Sequence, residues 1–132
     1  SADFVSSKMA YADFSHSVLT SSSFFAADLQ GADMRRCDLT KADLRGVNLR
    51  NANLEGANLT SADIRDGVLL RPDEDGNLIA VLKRSASIDN AKMAGANLSS
   101  ARLGKVVGRN TDLTNVNFSN AKLTNADLSG SN

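Results

Sequence analysis

The chain has 132 residues, with fifteen basic and fifteen acidic side chains, one cysteine, one histidine and no tryptophan. That length fits one domain, and the cancelled charge leaves no whole-molecule field to attract nucleic acid or an anionic membrane. A single cysteine excludes an internal disulfide, and too few Cys and His are present for a zinc-type metal site.

From Ala2 a pattern of five residues runs without a slip to Leu69. Its clearest part, Ala27 to Asp66, reads ADLQG, ADMRR, CDLTK, ADLRG, VNLRN, ANLEG, ANLTS and ADIRD. The third residue of each block is Leu, Met or Ile, the first is small and apolar, and Asp or Asn stands between them. A period of five is neither the 3.6 of a helix nor the alternation of a flat strand, so the repeat itself decides the fold. The central residues are Phe4, Met9, Phe14, Leu19, Phe24, Leu29, Met34, Leu39, Leu44, Leu49, Leu54, Leu59, Ile64 and Leu69.

This A-(D/N)-L-x-x pattern resembles the pentapeptide-repeat family, and the resemblance covers nearly the whole chain. It implies an all-β fold, a right-handed quadrilateral parallel β-helix with four pentapeptides per coil. The central residue and the small residue two before it point inward, and the other three positions face water. Residues twenty apart then stack at about 4.8 Å, one strand spacing, and about six coils make a rod roughly 25–30 Å long. Phe4, Phe24, Leu44 and Ile64 form one inner ladder, and Met9, Leu29, Leu49 and Leu69 the next. Cys37 takes a small inward slot and reads as a buried space-filler.

From residue 70 to 85 the pattern fails, in LRPDEDGNLIAVLKRS. Pro72 cannot donate a ladder hydrogen bond and Asp75-Gly76 is a turn signal, while apolar runs flank them at 68–70 and 78–82. The expectation is a projecting hairpin or long loop between a first array (2–69) and a second (86–132). The second array centres on Ile88, Met93, Leu98, Leu103, Leu113, Phe118, Leu123 and Leu128, with Gly108 in the one vacant slot. Gly108 predicts a bulge or irregular corner, with Val106 and Val107 filling the gap.

Asp28, Asp33, Asp38, Asp43 and Asp63 invite comparison with the quinolone-resistance branch of the family, whose members resemble B-DNA and bind DNA gyrase. Interleaved Asn48, Asn53 and Asn58 and the zero net charge argue against such mimicry here. Arg35 is expected to stack over Glu55 as a cross-coil pair. Arg35, Arg36, Lys41, Arg45 and Arg50 form a girdle, and Arg102, Lys105 and Lys122 are the best candidate for a local basic surface. No aromatic residue interleaves with these charges, so no nucleic-acid platform is expected.

The segment Arg71, Pro72, Asp73, Glu74, Asp75, Gly76, Asn77 is the candidate interaction loop, since loops carry function more often than scaffolds do. Its spacing does not match an EF-hand. His16 faces outward with no triad to join, so no catalytic residue, metal or cofactor is assigned.

The reading is therefore a non-catalytic structural and protein-interaction module with an unspecified protein partner. The alternative is a DNA-mimicking, gyrase-binding protein. No charged-then-apolar leader opens the chain, which tilts the expectation to the cytoplasm without membrane insertion. The repeat is already in register at Ala2 and stops mid-repeat at Asn132, whereas solenoids need polar caps. A longer parent protein with flanking domains, or end-to-end self-association, is expected to cover the ends.

Overall fold

The computed structural model describes every residue, Ser1–Asn132. Each pentapeptide contributes one parallel bridge, made by the residue just before the central one. Asp3 bridges Ser23, Ser23 bridges Asp43 and Asp43 bridges Asp63, each pair twenty residues apart. Three further columns begin Lys8–Asp28–Asn48, Asp13–Asp33–Asn53 and Val18–Asp38–Asn58. Four pentapeptides therefore make one coil, and the coils stack into a β-helical solenoid.

A count of backbone donors explains the five-residue code. In the block Asp33-Met34-Arg35-Arg36-Cys37, the Met34 N–H reaches the Asn53 carbonyl on the next coil, and Arg36 reaches Glu55. Asp33 donates back to the Ala12 carbonyl on the previous coil, and Cys37 closes a turn onto the Met34 carbonyl. The fifth N–H, that of Arg35, donates to the Asp33 carboxylate at 3.2 Å. The same side-chain cap recurs from Asp13 to Ser15, Asp38 to Thr40, Asn53 to Glu55, Asn58 to Thr60 and Asn97 to Ser99. Asp or Asn precedes the central residue because a short acceptor there satisfies the one donor that no neighbouring coil can reach.

The last residue of the block turns the corner in the left-handed region, with φ between 54° and 58° at Ala26, Arg36, Lys41 and Asn51. A positive φ at the third turn position defines a type II turn, which favours Gly and Asn. The second array follows that preference at Asn90, Gly95, Asn110, Asn115, Asn120 and Asn125. Tyr11, His16, Arg36 and Lys41 adopt the same conformation because cross-coil bonds on both sides hold them there.

Inside, the central residues stack as narrow aliphatic ladders. Leu29, Met34, Leu39, Leu44, Leu49, Leu54, Leu59, Ile64, Met93 and Leu98 have no exposed surface, and Ile88 and Leu103 almost none. Small slots complete the core at Ala32, Ala42, Val47, Ala52, Ala57 and Ala62. Polar residues in small slots use the core carbonyls: the Cys37 thiol donates to Phe14 at 2.7 Å and the Thr111 hydroxyl to Ile88 at 2.8 Å. Burial also pushes the Cys37 thiol pKa up, which keeps it protonated and unreactive. Burial falls towards both ends. Phe4 and Phe14 are half-buried and pack with Phe24 in stacked and edge-on contacts, while Leu113, Phe118 and Leu128 are half-buried and Leu123 is 36% exposed.

The corner at Gly108 is regular, contrary to the expected bulge. Its N–H reaches the Asp127 carbonyl at 2.7 Å, and Val107 keeps its bridges to Ser87 and Asp127. A Cβ at Gly108 would lie 2.7 Å from an Ile88 side-chain carbon and 2.9 Å from one of Leu128. The ladder neighbours above and below fill the gap, rather than Val106 and Val107.

The excursion is an antiparallel hairpin of β1 (Gly67–Pro72) and β2 (Leu78–Arg84). It begins at Gly67, three residues before the pattern visibly fails. Leu69, a central residue by the five-residue count, is therefore not an inner rung: it lies in β1 and is 37% exposed. Asp66 does not enter the left-handed turn, and Gly67 pairs with Arg84 instead of closing onto the Ile64 carbonyl. Gly67 also passes so close to Arg45 and Gly46 that a Cβ would lie 3.1 Å from their backbone. Asn48 bridges Ser87, a separation of 39 instead of 20, so the detour adds 19 residues and sets Ile88 where Leu69 would have stood.

Candidate functional site

The hairpin is held by its own strands and turn. Its pairs run from Gly67–Arg84 and Val68–Lys83 to Arg71–Ile79 and Pro72–Leu78, with a bulge between Leu69 and Leu70. Neither strand exchanges a backbone hydrogen bond with the coils. At the tip the Asp73 carboxylate accepts the Asp75 and Asn77 N–H groups at 3.0 and 2.9 Å, and Gly76 turns at φ 81°. Asp73 therefore builds the turn, while Arg71, Pro72, Glu74, Asp75 and Asn77 are exposed.

Between tip and coil, Val68 (41%), Leu70 (51%), Leu78 (67%), Ile79 (47%) and Val81 (49%) are exposed. Alternation along β1 puts Val68, Leu70 and Pro72 on one face, and cross-strand pairing adds Leu78 and Lys83 to it. Soluble proteins seldom leave a contiguous apolar strip open unless something binds there.

The charged residues divide into two classes. Arg35, Arg45 and Arg65 fold back onto the carboxylate two positions earlier in their own blocks, Asp33, Asp43 and Asp63. Arg35 thus pairs with Asp33 and not with Glu55, because both side chains leave one short stretch on the same side. Its hydrogen bonds hold the Asp33 carboxyl below the usual carboxylate range. Burial pushes Asp63 up, but bonds from Arg65 more than offset this and leave it lowered. Arg50 and Arg109 converge on the buried Asp89, at 3.2 and 3.8 Å.

The second class lies around the hairpin foot. Arg102 bridges Lys122, and Arg102 also reaches within 3.8 Å of Asp63. Lys105, unlike Arg102 and Lys122, lines a cleft of about 520 Å³, shared with Lys83 of β2, between the foot of the hairpin and the coil corner. Neither Lys83 nor Lys105 has a carboxylate within ion-pair distance. Lys83 and the exposed Val68 face were not singled out by sequence reasoning. The signal was there in the apolar runs on either side of the turn, which a solvent-exposed hairpin of purely structural use does not need.

The family model described as Pentapeptide repeats matches residues 1–36, 37–67 and 88–130, leaving out most of the hairpin. A comparison with curated proteins matches none of them. Among solved structures, HetL, a pentapeptide repeat protein involved in heterocyst differentiation regulation in the cyanobacterium Nostoc sp. strain PCC 7120, aligns with TM-score 0.70 and 24% identity. That alignment covers 98% of this chain and 61% of HetL, so the chain spans less than two thirds of that relative. Rfr23 from the cyanobacterium Cyanothece 51142 aligns with TM-score 0.61 and 20% identity, over 98% of this chain and 86% of its own. Trypsin-treated QnrB1 M102R, a plasmid-mediated fluoroquinolone resistance protein, gives TM-score 0.52 and 21% identity, over 98% of this chain and 66% of that one. With the family model covering most of the residues and the five-residue code accounting for the backbone bonds, this chain belongs to the pentapeptide-repeat family.

Proposed function

We propose that the chain is a non-catalytic scaffold and protein-interaction module, a right-handed quadrilateral β-helix that presents the Gly67–Arg84 hairpin to a protein partner. The observation that carries this reading is the hairpin itself. It exposes Val68, Leu70, Leu78, Ile79 and Val81 while taking no backbone bond from the coils. An isolated two-stranded hairpin is marginal in water, and an exposed apolar strip of this kind serves recognition.

The acidic columns do not favour gyrase mimicry. Their carboxylates and amides are spent on capping N–H groups and on pairing with Arg35, Arg45 and Arg65. No convergence of nucleophile, base and oxyanion donor supports an enzyme reading either.

Affinity capture tests the proposal. Deleting residues 67–85 joins Asp66 to Ala86 and sets Ile88 five residues after Ile64, in register. The intact chain is expected to retain a partner that this variant loses. Equal capture by both chains would refute the hairpin as the recognition element.

A further inference from the structure

The cleft at the hairpin foot combines three features. The first is missing caps. Arg102 and Lys122 occupy slots where most blocks carry Asp or Asn, so the N–H groups of Gly104 and Thr124, like those of Ala10 and Ala94 after Lys8 and Lys92, have no acceptor within the protein. Gly104 and Thr124 are stacked neighbours in one column and both line the cleft. The second is positive charge: Lys83 and Lys105 line the same cleft without an ion pair, beside Arg45 and Arg65. The third is the apolar face of β1, which starts at Val68 in the cleft wall and continues outward through Leu70 to Leu78.

Free backbone donors beside lysines are a site for a carboxylate, the acceptor that Asp33, Asp38 and Asp112 supply in their own blocks. The adjoining strip asks for apolar side chains on the same ligand. A phosphate or other small anion would leave that strip uncovered. We propose that the cleft and the Val68 face together bind an extended acidic segment of a protein partner, with its carboxylates at Lys83, Lys105 and the Gly104 and Thr124 N–H groups and its apolar side chains on Val68, Leu70 and Leu78. This rests on the hairpin being the recognition element and names the chemistry of what it recognises. Asp66 is the one carboxylate in the lining, and it opposes the ligand's charge.

The probe is a fluorescein-labelled peptide alternating Leu and Glu, read by fluorescence anisotropy with the intact 132-residue chain. Controls replace its Glu by Lys or its Leu by Ser, and an oligonucleotide is the third ligand. The Leu/Glu peptide is expected to bind more tightly than either control, and raising salt should weaken it. Lys83→Glu with Lys105→Glu should weaken binding at least about tenfold, the milder Lys83→Ala with Lys105→Ala less, and Asp66→Asn should strengthen it. Lys41→Glu, outside the cleft lining, should leave it unchanged, with melting curves showing that every variant is folded. The proposal is overturned if the acidic peptide binds no better than its Lys counterpart, if the lysine variants bind it normally, or if the oligonucleotide binds better through the same lysines. Capture that needs the hairpin but survives Lys83→Glu with Lys105→Glu would sink the cleft while leaving the hairpin reading standing.

Discussion

The coils and the hairpin are built from one chain by opposite rules. In the coils each position of the block answers a structural demand: a rung, a small slot, a cap for one N–H, an exposed residue and a left-handed turn. In the hairpin the period drops to two, both strand edges are unpaired and large apolar side chains face water. Residues whose identity is explained by folding leave little for function to explain. Where the folding explanation is missing, as at Val68, Leu70, Lys83 and Lys105, the proposed partner would supply one.

The contrast breaks most severely in the core. Leu49→Asp buries a carboxylate among aliphatic rungs with no cation in reach, and the cost of several kcal/mol should unfold the solenoid. Far-UV circular dichroism and a melting curve read this directly, and an unchanged midpoint would contradict the register. Gly108→Leu comes next. The five-residue pattern asks for Leu there, but Ile88 and Leu128 already occupy the space, so overpacking should cost about 1–3 kcal/mol in urea unfolding. A stabilised variant would show that the gap was a true void.

The capping rule gives smaller effects. Asn53→Ala removes the acceptor for the Glu55 N–H and should cost about 1 kcal/mol in the same assay. Acid acts on the same contacts. Asp13, Asp38 and Asp112 are lowered first by side-chain bonds from Ser15, Thr40 and Thr114, and Asp33 by Arg35. Their folded pKa values lie below 3.8, so their contribution is fully present above about that pH and is lost as pH falls through the lowered values. The melting midpoint should therefore hold steady down to about pH 4 and drop below it. The smallest effect belongs to the hairpin. Deleting residues 67–85 should leave the melting midpoint nearly unchanged, because no coil backbone bond depends on the hairpin strands. A collapse of stability would make it part of the scaffold.

Much of the coil was readable from spacing alone. Leu44 and Ile64 stack because they stand twenty residues apart in a slip-free pattern, and Asp33 sits between Asp13 and Asn53 for the same reason. The start of the detour was not readable. Gly67-Val68-Leu69 fits a small–x–Leu block as well as it fits a strand, and only the failure of Asp66 to turn left-handed separates the two. Arg35 was misassigned because spacing ranks cross-coil neighbours, whereas a long side chain also reaches back along its own block to Asp33.

By itself the sequence determined the period, the inward face and the polar position before each central residue, since all three are local and repeat many times. Only the tertiary structure decided where the chain leaves the coil, how Ile88 and Leu128 close over Gly108, and that Lys83 and Lys105 meet around donors left free at Gly104 and Thr124. Those outcomes depend on residues far apart in the chain arriving at one corner, and a five-residue pattern carries no record of such meetings.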